Sequence, residues 1–515
     1  MERPLAVSTE RYSGYNVAVV VFAAFGSWLS GYGLAVIIAT IGQPSFYASI
    51  DLDPDPTSPG YRHTSDIIAT VQGIFFAGGA LGCIFAGSVG RLLGRIRSFQ
   101  LCAAICITGA AIQTGAVNQA MYIAARFITG FGTGHTFAAM PVYLAEVAPP
   151  HSRGLMVGVH GSVVNVGYMT AAWVGFGTFH SSSSFAWRFP NAILIILALC
   201  FFAGTFYMPE SPRWLVLKDR DDEALKILRR LHHDPSDPQD SFARRELRLI
   251  HKQIALDNRA LQEGGRWQLF TEPTYRRRII LSILVVVGTQ NTAILVITNY
   301  NALFYQSLGL SNSEALITSA GFQTWAVIWG FLGLPLSDRV GRRRLLLIGF
   351  VSIACVLSIA TGLIAKYNRT RTKSWAAASL AFLYLFVSCY TCFIEVNCWT
   401  VATEIFPSHL RPQGTGIAIA ALMLTDLLWL QLAPTAQSTI GWKYYIVFIV
   451  LTAAHAVYFY FELPEASTSG LALEEIDKLF GKEPASCLAD VENDDYEKGE
   501  DHVEHGAVAE VEKRD

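Results

Sequence analysis

Long uninterrupted apolar stretches constrain this chain more than any other feature of its sequence. Twelve of them recur, each near the length of about twenty residues that a helix needs to cross a bilayer core of roughly 30 Å. Only 16% of the residues are charged, against about a quarter in soluble proteins. We predict spans one to twelve at Tyr15–Ile41, Asp66–Gly90, Ser98–Val117, Met121–Ala145, Leu155–Phe179, Trp187–Met208, Ile279–Tyr305, Leu316–Leu336, Leu345–Ala365, Trp375–Thr400, Gly414–Ala433 and Trp442–Phe461.

The distribution of basic residues indicates how the spans are oriented. If the spans alternate in direction, the loops after spans two, four, six and eight lie on one side, and these loops hold most of the arginines. Cytoplasmic loops are enriched in Lys and Arg, so we place that side and both termini in the cytoplasm. The opposite side carries the sequon Asn368-Arg369-Thr370, which makes Asn368 a candidate glycosylation site.

The polar segments divide the chain into five regions. We expect a cytoplasmic N-terminus at residues 1–14, a first six-helix half at 15–208, a cytoplasmic linker at 209–278, a second six-helix half at 279–463 and an acidic tail at 464–515. The linker shows helical periodicity over Asp221–Gln262, which predicts short helices. The tail starts with an amphipathic piece at Leu471–Phe480 and is expected to be mostly disordered.

An internal repeat relates the two halves. Glu146 is followed seven positions later by Arg153, and Glu404 is followed seven positions later by Arg411. An offset of 258 residues between the two motifs is far too long for a solenoid repeat and indicates two six-span halves of the same orientation. In such proteins the substrate site forms at the midplane between the halves.

Charged motifs at the cytoplasmic ends of the spans have two interpretations. They could be ordinary interfacial charges that set the topology. Because matched Glu and Arg sets occur in both halves, we favour latches that pair across the halves and hold the cytoplasmic face shut. The candidate gate residues are Glu146, Arg153, Glu210, Arg213, Asp338, Arg342, Glu404 and Arg411.

Four of these motifs carry a family resemblance. They are Pro209-Glu-Ser-Pro-Arg-Trp-Leu215, Pro141-Val-Tyr-Leu-Ala-Glu146, Asp338-Arg-Val-Gly-Arg-Arg343 and Glu404-Ile-Phe-Pro407. Together they resemble the sugar porter branch of the major facilitator superfamily, and especially its fungal hexose transporters. The resemblance implies an all-α membrane protein with the major facilitator fold, twelve transmembrane helices in two six-helix halves. It also implies alternating access, with a sugar site lined mainly by spans five, seven, ten and eleven.

The resemblance carries over to the sugar site only in part. Three positions match the family directly, and four others offer polar groups nearby. The direct matches are Gln290, Tyr300 and Trp399, and the substitutes are Asn291, Asn299, His160 beside Gly161, and Asp426 at the family's asparagine position. Amides and hydroxyls can hydrogen-bond to ring hydroxyls, and an indole can stack on a sugar ring.

Energy coupling stays open at this stage. Proton-driven members of the family carry an aspartate in span one that pairs with an arginine in span four. Arg126 is present here, but the span-one sequence reads Gly31-Tyr32-Gly33, which favours facilitated diffusion. However, Glu395 and Asp426 lie inside spans, where ionisable groups are functional candidates. Either carboxylate could carry a proton, or pair with Arg126 if the fold brings them together.

Several functions remain compatible with the sequence. The leading hypothesis is transport of a monosaccharide, a hexose such as glucose, by facilitated diffusion or proton symport. A disaccharide, a polyol or a quinate-like acid is the alternative substrate, and a non-transporting sugar sensor is the alternative class. We expect a monomer in the lipid bilayer of the plasma membrane, with no nucleic acid partner, no cofactor, no metal and no enzymatic activity.

Overall fold

A computed structural model of the chain describes residues 14–463, apart from 54, 56–57, 149–152, 232–239, 265–267 and 408. The predictions for residues 1–13 and for the acidic tail lie outside the described residues. In the described part of the chain, all regular elements are helices. The first half contains spans one to six at Gly14–Ile41, Tyr61–Leu93, Arg95–Thr114, Gln119–Val147, Arg153–Thr178 and Phe185–Gly204, with a short helix at Pro44–Ser49.

The second half contains spans seven to twelve, and two of them are not regular α-helices throughout. Span seven comprises Pro273–Gln290 and Ile294–Ser307, and span ten comprises Lys373–Cys389, a π-helical turn at Tyr390–Glu395, and Val396–Glu404. Spans eight, nine, eleven and twelve are Asn312–Val340, Arg342–Thr370, Arg411–Thr439 and Tyr444–Glu462, the last preceded by a 3₁₀ turn at Gly441–Lys443. The twelve-span prediction is confirmed.

Ten of the twelve spans are apolar enough to be recognised as membrane helices from hydropathy alone within the described chain. The remaining two, spans four and five, are as long as the others but less apolar. They bury polar side chains such as Arg126, His135, His160 and Asn165. Polar groups inside a span are stabilised by facing the bundle interior rather than lipid, and these two helices do so.

Span seven breaks where the sequence predicts one continuous segment. Its two helices are separated at Asn291–Ala293, and Ala293 adopts a left-handed backbone conformation with φ of 71°. A non-glycine residue in this region is strained unless its surroundings hold it there. Ala293 is fully buried, so packing around it maintains the break.

The two halves meet along two seams in the membrane. Span two packs against span eleven, and span five packs against span eight. At the first seam the backbones approach closely, because a Cβ on Gly416 would lie 2.6 Å from the carbonyl oxygen of Cys83. Small residues allow such approaches in membranes, where van der Waals packing replaces the hydrophobic effect between helices.

The described part of the linker contains four helices. They are Pro212–Val216, Asp221–Leu231, Ser241–Gly264 and Gln268–Thr271. A small apolar core joins the first three of them, centred on Trp214, Ala224 and Ile254. This core packs the helix Ser241–Gly264 against the helices Pro212–Val216 and Asp221–Leu231, which follow span six.

Candidate functional site

A cavity lies between the two halves, midway along the spans. Its wall consists of side chains from spans one, four and five of the first half and from spans seven, eight, ten and eleven of the second. The lining residues are Leu34, Phe137, Val164, Asn165, Tyr168, Gln290, Ile294, Leu295, Thr298, Gln323, Ala326, Val387, Tyr390, Thr391, Glu395, Trp399, Leu422, Met423 and Asp426. We call this space the central cavity.

Two carboxylates line the central cavity, and neither has a basic partner among its lining residues. Glu395 is held by an amide of the other half, since Asn165 Nδ2 donates to Glu395 Oε2 at 2.7 Å. Asp426 is only 3% exposed, and its Oδ1 has no hydrogen-bond partner. The cavity therefore has an excess of negative charge whenever both groups are ionised.

Four polar side-chain atoms of the lining are buried without a hydrogen-bond partner. They are Gln290 Oε1 and Asp426 Oδ1, which accept, and Gln323 Nε2 and Trp399 Nε1, which donate. Buried polar groups normally have partners, and leaving one unpaired costs about 1–3 kcal/mol. A cluster of both kinds around one space is typical of a site that binds a ligand rich in hydroxyl groups.

Trp399 forms one end of the cavity and contacts the first half. Its ring packs edge-on against Phe137 at 4.9 Å and against His160 at 5.2 Å between ring centroids. Gly161 makes room for the indole, because a Cβ there would lie 2.6 Å from Trp399 Cδ1. The indole thus occupies the space where the family's span-five glutamine would lie.

Four of the predicted binding residues do not line the central cavity. His160 bonds to Ser27 through Nδ1 at 2.8 Å, and Asn299 Nδ2 donates to the carbonyl of Leu295 at 3.0 Å. Asn291 accepts a bond from Trp429 Nε1 at 2.9 Å.

The fourth, Tyr300, takes part in a hydrogen bond that joins the two halves outside the cavity lining. Gln72 Nε2 of span two donates to its hydroxyl at 3.0 Å. The predicted residues that the structure brings together in the cavity are therefore Gln290, Trp399, Glu395 and Asp426.

Arg126 pairs with neither carboxylate. Its guanidinium lies 4.1 Å above the Phe75 ring and donates long bonds to the backbone oxygens of Val71 at 3.4 Å and Gly33 at 3.5 Å. The alternative that either carboxylate pairs with Arg126 is not realised among the contacts of the described residues. Span four directs Arg126 towards spans one and two, and Arg126 is not among the residues that line the cavity.

Sequence reasoning missed several lining residues, chiefly Asn165, Tyr168, Gln323 and Tyr390. Asn165 and Gln323 are amides within apolar spans, which is the same signal that singled out Gln290. Their helical phase decides whether they face the cavity, and that phase cannot be read from a span that is polar on several sides.

Comparison with known proteins then places the chain in a family. Residues 19–480 match the family model "Sugar (and other) transporter". This chain belongs to the sugar porter family of the major facilitator superfamily. As a sugar porter it is a multi-pass membrane transporter and not an enzyme.

Individual relatives of this sugar porter are fungal. The chain is 30% identical over 460 residues to the MFS-type transporter criB of Aspergillus cristatus, covering 89% of this chain and 92% of the relative. It is 29% identical over 484 residues to a high-affinity glucose transporter of Kluyveromyces lactis, covering 90% and 85%. It is 28% identical over 500 residues to a quinate permease of Neurospora africana, covering 93% and 91%.

A solved structure supports the fold of the sugar porter. The proton:xylose symporter XylE bound to 6-bromo-6-deoxy-D-glucose aligns with a TM-score of 0.76 at 21% identity. The alignment covers 90% of this chain and 99% of that structure. The major facilitator fold is thereby shown.

The charged motifs at the span ends nearest the linker form ion pairs, but the pairs Arg95–Glu146 and Arg342–Glu404 lie within each half rather than across the halves. Arg95 holds Glu146 with two bonds, of 2.9 Å from Nε and 2.7 Å from Nη2. Arg342 lies 3.6 Å from Glu404 in the second half. In each half, the span that ends in the glutamate packs next to the span that begins with the arginine. Each arginine therefore pairs with the glutamate of its own half.

Other gate candidates have different roles. Glu210 accepts bonds from the backbone N–H groups of Arg95 at 2.8 Å and Ile96 at 3.2 Å, which satisfies the start of span three. Arg411 donates to the carbonyl of Phe406 at 3.4 Å. The side chains of Arg153 and Asp338 lie outside the described part of the chain.

An ion-pair network at the linker does connect the two halves, and its centre is Asp257 on the linker helix Ser241–Gly264. Arg213, which follows span six, donates to Asp257 Oδ2 at 2.6 Å, and His409, which follows span ten, lies 3.1 Å from Oδ1. We call these three residues the linker clasp. Burial alone would raise the pKa of Asp257, but the bond to His409 and the charge of Arg213 outweigh it and hold that pKa below its ordinary value.

The sequon residue Asn368 is exposed in the last turn of span nine. It lies at the end of that helix opposite to the arginines of Arg342–Arg344.

Proposed function

We propose that this sugar porter moves a neutral monosaccharide, a hexose such as glucose, by alternating access across the plasma membrane. The observation that carries the proposal is the cluster of unpaired buried donors and acceptors around Trp399 in the central cavity. A pyranose offers hydroxyls that both donate and accept, and an apolar ring face that suits an indole. The similarity to glucose transporters supports the same substrate class.

The alternative substrates fit the cavity less well. A quinate-like acid, suggested by the similarity to quinate permeases, would bring a third carboxylate to Glu395 and Asp426. Like charges in a cavity of low dielectric repel strongly, and no basic residue lines the described cavity to offset them. Disaccharides and polyols would use the same hydrogen-bonding groups and are distinguished by competition assays.

Proton symport is the coupling mode we propose, with Glu395 and Asp426 as the proton-binding groups. An ionised carboxylate inside a span costs several kcal/mol without a partner, and uptake of a proton removes that cost. Asn165 links the charge state of Glu395 to the contact between halves, since it donates to Glu395 Oε2 from the opposite half. Arg126 is the third candidate and would act from outside the lining, near the backbone of Gly33.

Closing the transporter towards one side of the membrane would depend on different contacts from closing it towards the other. The linker clasp joins the halves on the cytoplasmic side, and the bond between Gln72 and Tyr300 joins them on the other side. The candidate residues Glu146, Arg342, Glu404 and Arg411 would stiffen each half as it rocks, with Glu210 at the start of span three. As part of the same proposal, both termini lie in the cytoplasm, on the side that the distribution of Lys and Arg favours.

The test is uptake of labelled glucose by a transporter-deficient yeast strain that expresses the full chain. We expect uptake to be restored, and to fall at least tenfold in Gln290→Ala and Trp399→Ala, because each loses an unpaired group of the cavity. Matched controls are Gln306→Ala and Trp375→Ala, which lie outside the cavity lining. Normal uptake by both cavity variants would reject the site. A normal surface level with no uptake of any sugar would favour the sensor.

Glycosylation and localisation can be checked in the same cells. We expect the protein at the plasma membrane, with a mobility on gels that increases on glycosidase treatment and in Asn368→Gln. Unchanged mobility in both cases would exclude use of the sequon.

A further inference from the structure

A neutral sugar has no group that could neutralise the negative charge of the two carboxylates in the central cavity. Glu395 and Asp426 both line the space, and the described lining contains no Lys, Arg or His. Buried charges are ordinarily paired or neutralised. A proton is one way to neutralise them, and a cationic group on the ligand is another.

The two carboxylates are not equivalent in this respect. Glu395 Oε2 already accepts a short bond from Asn165 at 2.7 Å. Asp426 is 3% exposed, and its Oδ1 has no partner. Asp426 is therefore the carboxylate available to a charged ligand, whereas Glu395 is engaged across the halves.

The remaining unpaired atoms surround the same space and suit hydroxyl groups. Trp399 Nε1 and Gln323 Nε2 can donate, and Gln290 Oε1 can accept. An ammonium group provides three donors and no acceptor, which matches a carboxylate oxygen rather than the indole or amide N–H groups. The site thus has one position for a cation and several for hydroxyls.

We propose that the central cavity accepts polyhydroxyl compounds that bear one protonated amine, that is amino sugars, with the ammonium group at Asp426. The proposal rests on the proposed sugar transport and narrows its substrate class. It also predicts discrimination against sugar acids, whose carboxylate would meet Asp426 and Glu395. An amino sugar carries its own positive charge, so its transport does not require a symported proton at Asp426.

The test is competition for [³H]glucose counterflow in proteoliposomes that contain the purified full chain. The competitors are glucosamine, N-acetylglucosamine and glucuronate at about pH 6, where the amine is protonated. We expect glucosamine to compete about tenfold better than its neutral N-acetyl analogue, and glucuronate to compete least. Equal competition by glucosamine and glucuronate would overturn the proposal.

The variant Asp426→Asn tests whether the Asp426 carboxylate is the group that recognises the amine. We expect the advantage of glucosamine over N-acetylglucosamine to fall to about twofold or less, while Asp66→Asn, an exposed aspartate at the opposite end of span two from Arg91, retains it. An amine preference that survives in Asp426→Asn would reject the assignment.

A second readout does not depend on transport. Ligands that bind the native state raise its thermal unfolding temperature. We expect glucosamine to stabilise the purified wild type more than glucose does, and to stabilise Asp426→Asn no more than glucose does. If wild-type counterflow of glucose fails but glucosamine alone stabilises the protein, the proposed hexose transport is wrong and the amine site stands. If glucose counterflow succeeds without an amine preference in either assay, the proposed hexose transport stands and the amine site is rejected.

Discussion

Carboxylates occur in two settings in this protein, on the side where the linker lies and in the central cavity. On the linker side, Glu146 is bonded to Arg95, and Asp257 is bonded to Arg213 and lies against His409. In the cavity, Glu395 has an amide partner and Asp426 Oδ1 has none. Paired charges hold structural elements in place, whereas an unpaired one is available to a ligand or a proton. The same residue types thus serve opposite purposes, and substitutions should separate them.

The largest effect is expected where a buried pair is broken. Arg95 and Glu146 have side chains only 10% and 8% exposed, so Glu146→Gln removes the counter-charge that is bonded to the buried guanidinium and leaves only the more distant Glu210. We expect a loss of about 3–5 kcal/mol of stability, visible as a lower thermal unfolding temperature in detergent. The control is Arg220→Ala, which breaks a pair 47% and 55% exposed and should cost about 0.5 kcal/mol or less. Equal effects of the two substitutions would remove the distinction between buried and exposed pairs.

Asp426→Asn should have the opposite effect on stability. Removing an unpaired buried charge leaves the unfolding temperature unchanged or higher, because the amide is cheaper to bury. Sugar accumulation driven by a pH gradient of one unit, about tenfold for one proton per sugar, should fall towards equilibrium. The measurement is labelled glucose in proteoliposomes with and without a protonophore, alongside Asp66→Asn. Undiminished accumulation in both Asp426→Asn and Glu395→Gln would exclude these carboxylates as the coupling groups.

Gly161→Ala tests how closely the cavity wall is packed. The added Cβ would meet Trp399 Cδ1 at 2.6 Å and push the indole towards the sugar. Overpacking of this kind costs about 1 kcal/mol or more, which corresponds to about a fivefold higher half-saturation for glucose. Gly177→Ala on the same span meets nothing within 4 Å and should leave transport unchanged. Similar kinetics for both variants would mean that Trp399 is not held by this contact.

Asp257→Asn probes the linker clasp and should have the smallest effect. We expect the linker helix Ser241–Gly264 to exchange its amide hydrogens a few-fold faster, and glucose exchange to change about two- to fivefold. Because the pKa of Asp257 lies below its ordinary value, the clasp should persist as the pH falls from neutral and weaken only as the pH falls through that lowered pKa. The exposed Asp222→Asn on the neighbouring helix is the control. Loss of the clasp already near neutral pH would contradict this assignment.

The sequence predicts the spans and motifs well because each depends on local composition. Apolar runs place all twelve helices, and the in-family motifs place Glu146 and Glu404 at the ends of their spans. The cavity is harder, since Asn165 and Glu395 are 230 residues apart and meet only when the halves pack. The break at Ala293 and the turn at Tyr390–Glu395 shift which side chains face inward, and neither has a proline to announce it. Arg126 shows the same limit, because its partners depend on the direction of span four rather than on its neighbours in sequence.

The π-helical turn Tyr390–Glu395 limits which changes of sequence span ten can accept. Such a turn contains one residue more than a regular α-helical turn, so it sets the rotational phase of everything that follows it. Deleting a single residue there would rotate Val396–Glu404 by about 100° about the helix axis. That rotation would turn Trp399 away from the cavity and Glu404 away from Arg342 together. Individual side chains of span ten can therefore vary to suit a new substrate, but the number of residues in this turn is constrained both by the cavity at Trp399 and by the ion pair at Glu404.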